Sequence, residues 1–346
     1  MRKRRSLLLF GLLLILAFSW YTYTLQTRPQ IRYLSGVTMG VVQYNVKYVG
    51  DEVPKLQEKI DELLHSFNQS LSTYIPSSEI SRLNSEFEFE FDSRFFLPVL
   101  KLSADVFRET EGAFDPTIGP LIKAWGFGAD KKAQVLDSAT VDSLLMLSGF
   151  EKVIFDDKQI KIPEGFYLDF SAIAKGYAVD LVAELLEEYD LVNYLVEIGG
   201  EVRCNGLNQK GEIWKLGIED PTVDILDQRL LAITELKDGS LATSGNYRNF
   251  YERDGKVYAH IIDPKTGYST NHNLLSASVF AATCMEADAY ATALMVMGLE
   301  KAKKIAETNV DLDVLLIYRN EFGDLVSYVS PKVERTLKMN KTTSNP

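Results

Sequence analysis

The order of strand-like and helix-like patterns limits the fold of this chain more than any other feature of its sequence. Residues 42–48 alternate apolar Val and Tyr with polar side chains, which is typical of a strand. A helical spacing of apolar residues follows over residues 53–67. Later strands and helices come in mixed order, without the regular strand–helix–strand alternation of a parallel sheet. The sequence therefore predicts an α+β fold, a single compact body with mixed sheets and flanking helices.

The same patterns give approximate bounds for each element. We expect the first helix to be capped by Asp51 and the second to end at Gly112. The predicted helices cover about residues 53–67, 97–111, 140–150, 172–188, 286–297 and 299–307. The predicted strands and hairpins lie within residues 42–48, 152–162, 166–170, 194–198, 248–262 and 314–329. No repeat or linker interrupts them, so we predict one domain at 30–337 and a polar tail at 338–346.

Composition excludes several functional classes. The 346 residues are 46% hydrophobic and 25% charged, which is typical of a globular protein and not of a disordered or collagen-like one. The 37 basic and 48 acidic residues give a net charge of 37 − 48 = −11, which disfavours nucleic-acid binding. With only three histidines, a multi-histidine zinc site is disfavoured, and a divalent cation would need oxygen ligands.

The N-terminal segment carries an export pattern. Four basic residues at positions 2–5 precede an apolar run over residues 7–18, and an aromatic-rich stretch continues to Leu25. Ala17-Phe18-Ser19 fits a signal-peptidase site, yet residues 7–25 are about long enough to span a bilayer, which takes roughly 20 residues. Residues 1–29 are therefore predicted to be either a cleaved signal peptide or a membrane anchor. In both cases the body works outside the cytoplasm, on the periplasmic side.

Cysteine usage indicates neither a disulfide framework nor a lipid anchor. Cys204 and Cys284 are the only cysteines, and neither follows the apolar run as a lipidated cysteine would. We expect both to be small buried hydrophobic side chains.

Two early motifs could contact a flat heteroaromatic ligand. Thr38-Met39-Gly40 offers a flexible apolar side chain beside a glycine, although for this motif alone ordinary strand packing is the preferred interpretation. The loop from Gly112 to Pro120 is dense in glycine and proline, as in any rigid turn. Within it, Phe114 could stack on a ring and Asp115 could accept a hydrogen bond.

A third motif indicates phosphate handling. The stretch from Leu168 to Asp180 places Asp169 at the end of a predicted strand and Lys175 one turn into the following helix. The free amides and positive dipole end of a helix attract anions, and Lys175 adds a full charge there. A solvated lysine on an ordinary amphipathic helix is the competing interpretation, and the motif is neither a Walker loop nor a dinucleotide fingerprint.

Three further motifs complete the set. Glu197-Ile-Gly-Gly-Glu has a double glycine between strands, which indicates a bulge or a close backbone approach. The polar turn at residues 241–248 is followed by His260, which ends a hairpin strand. His260 could act as a base or contact a ligand, but from these residues alone a structural role is favoured. Asp288 and Thr292 are one helical turn apart, so their oxygens can reach one hard cation.

Taken together and in this order, these motifs resemble the FAD:protein FMN transferases, the ApbE family. The resemblance runs from about Gly36 to Val329. It lies in the following stretches: Asp169-Phe-Ser-Ala-Ile-Ala-Lys-Gly, Glu197-Ile-Gly-Gly-Glu, Thr243-Ser-Gly-Asn-Tyr-Arg, His260-Ile-Ile-Asp-Pro-Lys-Thr-Gly and Glu286-Ala-Asp-Ala-Tyr-Ala-Thr-Ala. It implies an ApbE-like, T-fold-related body and an exported protein.

The resemblance also implies an activity and its residues. Members cleave FAD with Mg²⁺, attach FMN through a phosphoester bond to a Ser or Thr hydroxyl of an acceptor protein, and release AMP. Carried over to this chain, the FAD contacts are Met39, Tyr74, Ala113, Phe114, Asp115, Asp169, Lys175 and the stretch from His260 to Ile262. The carried-over Mg²⁺ ligands are the carbonyl of Ala172 and the side chains of Asp288 and Thr292.

Several alternatives stay open at this stage. The base that takes the acceptor proton is Asp288 or His260. The acceptor is a membrane redox subunit or another exported flavoprotein, and nucleic acid is not expected as a partner. A pyrophosphatase that splits FAD into FMN and AMP, or a non-catalytic exported flavin-binding protein, would use much of the same site.

Overall fold

The first two strands form a tight hairpin at one edge of the main sheet. The computed structural model describes Ile15 and residues 30–127, 135–223, 229–245, 250–253, 256–259 and 261–340. Strand β1 (Ile31–Thr38) pairs antiparallel with β2 (Val42–Val49), as the alternating pattern predicts. The turn between them places Met39 at φ 47° and Gly40 at φ 83°. A Cβ at Gly40 would meet nothing within 4 Å, so the positive φ, and not a lack of space, favours glycine here.

The hairpin continues into an eight-stranded antiparallel sheet with the order β1-β2-β6-β7-β10-β13-β14-β15. The remaining strands of this sheet are β6 (Tyr194–Ile198), β7 (Glu201–Asn205), β10 (Gly239–Gly245), β13 (Leu274–Ala281), β14 (Asp313–Arg319) and β15 (Leu325–Val329). Strands β6 and β7 are joined directly through Gly199 and Gly200, both with positive φ. The double glycine therefore makes the tight turn between β6 and β7, which are neighbouring strands in the middle of the sheet.

Smaller sheets surround this core. Strands β8 (Trp214–Glu219), β9 (Leu230–Leu236) and β16 (Leu337–Met339) form one three-stranded sheet. Strands β3 (Glu88–Glu90), β4 (Ile154–Phe155) and β5 (Gln159–Lys161) form another. Strands β11 (Phe250–Arg253) and β12 (Lys256–Ala259) make a separate hairpin.

The helices follow the apolar spacing of the sequence. They are α1 (Leu56–Leu71), α2 (Glu79–Glu86), α3 (Phe96–Glu109), α4 (Gly119–Ala124), α5 (Ser138–Leu145), α6 (Ala174–Glu187), α7 (Cys284–Met297), α8 (Leu299–Thr308) and α9 (Pro331–Glu334), with a short 3-10 turn at Phe150–Lys152. The first begins after Lys55, so the predicted cap at Asp51 is wrong. Thr283 caps α7 by accepting the amide of Glu286.

The two faces of the main sheet are covered differently. Helices α6 and α7 pack on one face, where side chains such as Val46 and Val196 join the largest apolar cluster. The small sheet β16-β9-β8 covers the other face, where Leu195 and Val202 meet Trp214. Alternation along each strand thus supplies both apolar layers.

The predicted α+β class is confirmed, with three corrections to the local predictions. The segment at 166–170 is no strand; it has one bridge, between Tyr167 and Ile118, and its ends are held by loops. The polar tail starts later than predicted, because Lys338 and Met339 pair with β9. The predicted helix at 140–150 ends at Leu145.

Two sequence predictions concern compartment and cysteine chemistry. Cys204 and Cys284 are both free and buried, as expected. The proposed signal or anchor at 1–29 lies outside the described residues except for Ile15. Within the part of the chain that the structure describes, no helix has the length and apolar character needed to cross a bilayer.

Candidate functional site

The candidate site forms where α6 and α7 cross. The crossing is close because of Gly176: a Cβ at this position would lie 2.1 Å from the carbonyl oxygen of Cys284 and 2.8 Å from Cβ of Asp288. Both distances are shorter than any ordinary contact, so only glycine fits. The predicted phosphate motif and the predicted cation motif, more than 100 residues apart in sequence, are thereby brought together.

The two helices exchange side-chain hydrogen bonds at this crossing. The amide of Gly176 donates to Oδ2 of Asp288 at 2.9 Å. In the opposite direction, Asp180 on α6 accepts the amides of Cys284 and Met285 at 2.9 and 2.8 Å. Each helix therefore supplies a carboxylate to the N-terminal amides of the other, where the helix dipole favours negative charge.

Lys175 lies beside this contact and faces two carboxylates. Its ammonium forms an ion pair with Glu201, and Oδ1 of Asp288 is 3.7 Å away. Burial by itself lowers the pKa of Lys175, but the charges of Asp288 and Glu201 outweigh burial and raise that pKa. Burial raises the pKa of Glu201, and Lys175 opposes the change. About a third of the surface of the whole Lys175 side chain stays exposed.

The predicted Mg²⁺ ligands Ala172, Asp288 and Thr292 lie just before α6 and in the facing part of α7. In a regular helix the amide of Gly176 would donate to the carbonyl of Ala172, four residues earlier. Here it donates to Asp288 instead. The carbonyl of Ala172 accepts no backbone hydrogen bond from the described residues and can bind a cation. Thr292 follows Asp288 by one turn of α7 and is only half-buried. One carboxylate with neutral oxygens suits a hard cation.

No richer metal-binding cluster competes with this set. Among the residues that the structure describes, no three His, Cys, Asp or Glu side chains are grouped closely enough to hold a metal ion. A cation at the α6–α7 crossing would thus rely on Asp288 for its charge and on neutral oxygens for the rest.

A second group of predicted contacts surrounds Asp169, just before α6. Its Oδ1 accepts the amide of Ser171 at 2.8 Å, and its own amide donates to the carbonyl of Pro116 at 2.8 Å. Burial, followed by the charge of Asp169, raises the pKa of both Tyr74 and Tyr167. Tyr74 is largely exposed, so its ring remains available to a ligand.

The Ala113-Phe114-Asp115 loop is placed differently from what the sequence suggests. The Phe114 ring is 2% exposed and lies in the main core, so it offers no open stacking face. Oδ1 of Asp115 accepts from the amide and hydroxyl of Thr117, and burial raises the pKa of Asp115 to about 6. Ala113 is also buried. These side chains shape the loop, and its backbone is what remains for a ligand contact.

The remaining predicted residues lie at different distances from the crossing. Met39 lies in the β1–β2 turn, three residues before Val42. Val42 lies close to Gly199, because a Cβ built on Gly199 would be 2.8 Å from Cγ1 of Val42. Gly199 also adjoins Lys175, so the Met39 turn belongs to the same sheet end. Ile262 packs in a separate small cluster with Trp125. His260 lies outside the described residues.

Sequence reasoning missed the functional arrangement of β7. Glu201 and Arg203 are two residues apart on this strand, so both point to the helical face. Glu201 pairs with Lys175, and Arg203 donates to Oδ1 of Asp180 at 2.9 Å. The signal was present in Glu201-Val202-Arg203, where alternation on a strand places two opposite charges on one face.

Comparison with known proteins shows which proteins this chain resembles. The model of the ApbE family matches residues 38–316. A FAD:protein FMN transferase from Vibrio cholerae is 41% identical over 300 residues, covering 84% of this chain and 88% of that protein. One from Haemophilus influenzae is 39% identical over 315 residues, covering 86% and 89%.

Solved structures show the same fold. The flavin transferase ApbE from Vibrio cholerae superposes with a TM-score of 0.79 at 39% identity, covering 89% of this chain and 99% of that chain. The apo form of a Pseudomonas stutzeri flavinyl transferase ApbE gives 0.80 at 31% identity, covering 89% and 97%. Both coverages show that the likeness extends over nearly the whole described body.

Proposed function

This chain belongs to the ApbE family, and on that premise we propose that it is a Mg²⁺-dependent FAD:protein FMN transferase. It transfers FMN from FAD to a protein, the activity for which its relatives are named. The acceptor group is a Ser or Thr hydroxyl, and AMP is the second product. The observation that carries the proposal is the meeting of Lys175 and Asp288 at the start of α6, beside the free carbonyl of Ala172.

The reaction is a phosphoryl transfer. The acceptor oxygen forms a bond to the phosphorus of the FMN half, and the bond from that phosphorus to the bridging oxygen breaks. AMP leaves with the bridging oxygen, and the hydroxyl proton passes to a base. Such reactions depend on positioning and on neutralising charge around the phosphates. A Mg²⁺ held by Ala172, Asp288 and Thr292 would supply part of that neutralisation when bound.

The chain itself supplies the rest. Lys175 places a full positive charge at the N-terminus of α6, where the dipole also favours an anion. Asp169 lies just before this helix and interacts with Tyr74, and both side chains can orient the flavin half. Met39 closes the same sheet end from the β1–β2 turn. These positions support binding of an extended dinucleotide across the start of α6.

The contacts of Asp288 favour its role as a ligand over its role as the base. Both of its oxygens face groups that stabilise the carboxylate: the amide of Gly176 and the ammonium of Lys175. A carboxylate that already accepts an amide, and whose other oxygen would bind a cation, has little capacity left to take the acceptor proton. We therefore assign the acceptor proton to His260, with Asp288 as the competing candidate. His260→Gln should abolish the rising limb of the pH–rate profile, and an unchanged limb would return the role to Asp288.

The decisive assay uses purified full-length protein, FAD, Mg²⁺ and exported proteins of the same cell. Transfer should appear as flavin fluorescence on a denatured acceptor band and as an FMN adduct on a Ser or Thr by mass spectrometry. A matched acceptor in which that residue is replaced by Ala should stay unlabelled. AMP release without any acceptor would favour a pyrophosphatase instead, and tight FAD binding without AMP release would favour a flavin-binding protein.

The cellular setting forms part of the same proposal. Residues 1–29 direct the body outside the cytoplasm as a signal peptide or as an anchor, and the acceptor is a membrane redox subunit or an exported flavoprotein. N-terminal sequencing of the mature protein from cell fractions separates the two cases. A protein that begins at Met1 and stays in the cytoplasmic fraction would contradict both.

A further inference from the structure

The outer part of the Lys175 side chain contacts the β6–β7 turn and the first residue of β7. At the tip, its ammonium pairs with Glu201, whose side chain is 3% exposed. Along the stem, a Cβ on Gly199 would lie 3.4 Å from Cδ of Lys175. Gly199 has a φ of 63°, which favours glycine, so the backbone can lie directly against the lysine stem. The turn thus fixes where the positive charge of Lys175 sits.

Glu201 depends on Lys175 in return. Its Oε2 is buried and has no hydrogen-bond partner among the residues that the structure describes. A buried carboxylate is costly unless a charged partner compensates it, and Lys175 is that partner. Glu201 is 2% exposed, and its carboxylate pairs with the ammonium of Lys175. Any effect on the reaction must therefore act through Lys175.

Asp288 would compete for the same ammonium. Its Oδ1 is 3.7 Å from Nζ of Lys175, just beyond hydrogen-bonding distance. Lysine is a compact charge on a flexible stem, so loss of Glu201 would let it move onto Asp288. A Lys175–Asp288 pair would then occupy the carboxylate that the cation needs.

We propose that Glu201 is a positioning residue that holds Lys175 off Asp288 and so keeps Asp288 free to bind a divalent cation. This inference rests on the proposed cation site. It explains why two acids face one lysine: one carboxylate restrains the lysine, and the other serves the cation. It also gives the second acid of the Glu197-Ile-Gly-Gly-Glu motif a specific task.

The test measures Mn²⁺ binding to the full-length protein, without FAD or acceptor, from the electron paramagnetic resonance signal of free Mn²⁺. Glu201→Gln should weaken Mn²⁺ binding by about tenfold or more, as for other residues that orient a ligand. A crystal structure of this variant should show Nζ of Lys175 within about 3 Å of Asp288. The double variant Lys175→Met/Glu201→Gln should bind Mn²⁺ at least as tightly as the native protein, because the competing cation is gone.

A control and a second variant keep the inference testable. Glu197→Gln removes the same charge from the same turn, but Glu197 bonds to Gly200 and Asn45 and should leave Mn²⁺ binding unchanged. If Glu201→Gln does not fold, Glu201→Asp retains the charge and withdraws it from Lys175, and it too should weaken binding.

Three results would overturn the inference. These are a native protein that binds no Mn²⁺, an unchanged affinity in both Glu201 variants, and weakened binding with Lys175 still 3.7 Å or more from Asp288. None of them decides whether FMN is transferred, because FAD and acceptor are absent from this assay.

Discussion

Asp180 and Asp288 occupy equivalent places on the two crossing helices, yet their surroundings differ. They are similarly buried, at 3% and 5% exposure. Both oxygens of Asp180 accept backbone amides of α7, and Arg203 adds a charged hydrogen bond. Asp288 accepts one amide, and its nearest cation is 3.7 Å away. Burial is therefore the same, and the number of partners separates a structural carboxylate from one with capacity left for a ligand.

One strand, β7, supplies a charged residue beside each of the two aspartates. Arg203 and Glu201 of β7 face the same helices, one beside Asp180 and the other beside Lys175. At the Asp180 end the strand supplies a cation that completes the contacts of the acid. At the Asp288 end it supplies a second acid that engages the lysine. The first arrangement stabilises the crossing of the two helices, and the second leaves Asp288 with capacity to bind a cation.

The largest expected effect is on stability, at the Asp180 end. Asp180→Asn would remove the nearer and more buried of the two charged partners of Arg203 and place an amide donor against a backbone amide. Breaking a buried pair from one side typically costs about 3–5 kcal/mol of unfolding free energy. Urea unfolding measures this loss, while FMN transfer per folded molecule should stay near the native rate. A loss below about 1 kcal/mol would remove the distinction between the two acids.

The same substitution at the other end should act on the reaction. Asp288→Asn keeps an oxygen that accepts the amide of Gly176 but removes the charge that the cation needs. We expect FMN transfer to fall about 10²- to 10³-fold, as when a charge-stabilising group is lost. The unfolding free energy should change by less than about 1 kcal/mol, because no buried partner is orphaned. Undiminished flavin labelling of the acceptor would contradict the assignment.

Gly176→Ala should disturb the surroundings of both Asp180 and Asp288. The new Cβ meets the backbone carbonyl of Cys284 at 2.1 Å, so the helices must separate. Overpacking of this kind costs about 1–3 kcal/mol of unfolding free energy, and it should also reduce Mn²⁺ binding. Gly239→Ala is the matched control, since its Cβ would meet nothing closer than 3.5 Å. Equal stability of the two variants would show that the crossing is looser than described.

The smallest expected effect concerns the outer partner of Arg203. Glu187 lies 3.4 Å from Arg203 and is 42% exposed, so solvent screens this pair. Glu187→Gln keeps an acceptor for the hydroxyl of Tyr194 and should cost no more than about 1 kcal/mol of unfolding free energy. A loss as large as that of Asp180→Asn would mean that Glu187, and not Asp180, is the main partner of Arg203.

The sequence predicted much of the local structure. The periodic segments gave α1, α3, α6, α7 and α8, together with strands β2 and β6 and the hairpin β14–β15. Asp288 and Thr292 were correctly placed one turn apart on one helix. These features depend on nearby residues, whose spacing decides which side of a helix or strand is apolar.

The segment at 166–170 shows where such reasoning stops. Its apolar residues predict a strand, but among the residues that the structure describes it forms only one bridge, from Tyr167 to Ile118. Instead Asn84 binds both the amide and the carbonyl of Leu168, and Pro116 accepts the amide of Asp169. An apolar sequence pattern can indicate an extended chain. A β-ladder also needs a second strand to pair with, and that strand comes from residues distant in the sequence.

What the sequence determined by itself was the type and order of the elements, the family motifs and the residue types that phosphate and a hard cation require. The tertiary structure decided which of these residues meet. The amide of Gly176 bonds to Asp288 across 112 positions, Glu201 pairs with Lys175, and Phe114 is buried in the core. The physical reason is that periodicity encodes each element locally, whereas contacts between elements depend on close packing at one glycine and on buried charges that must find partners.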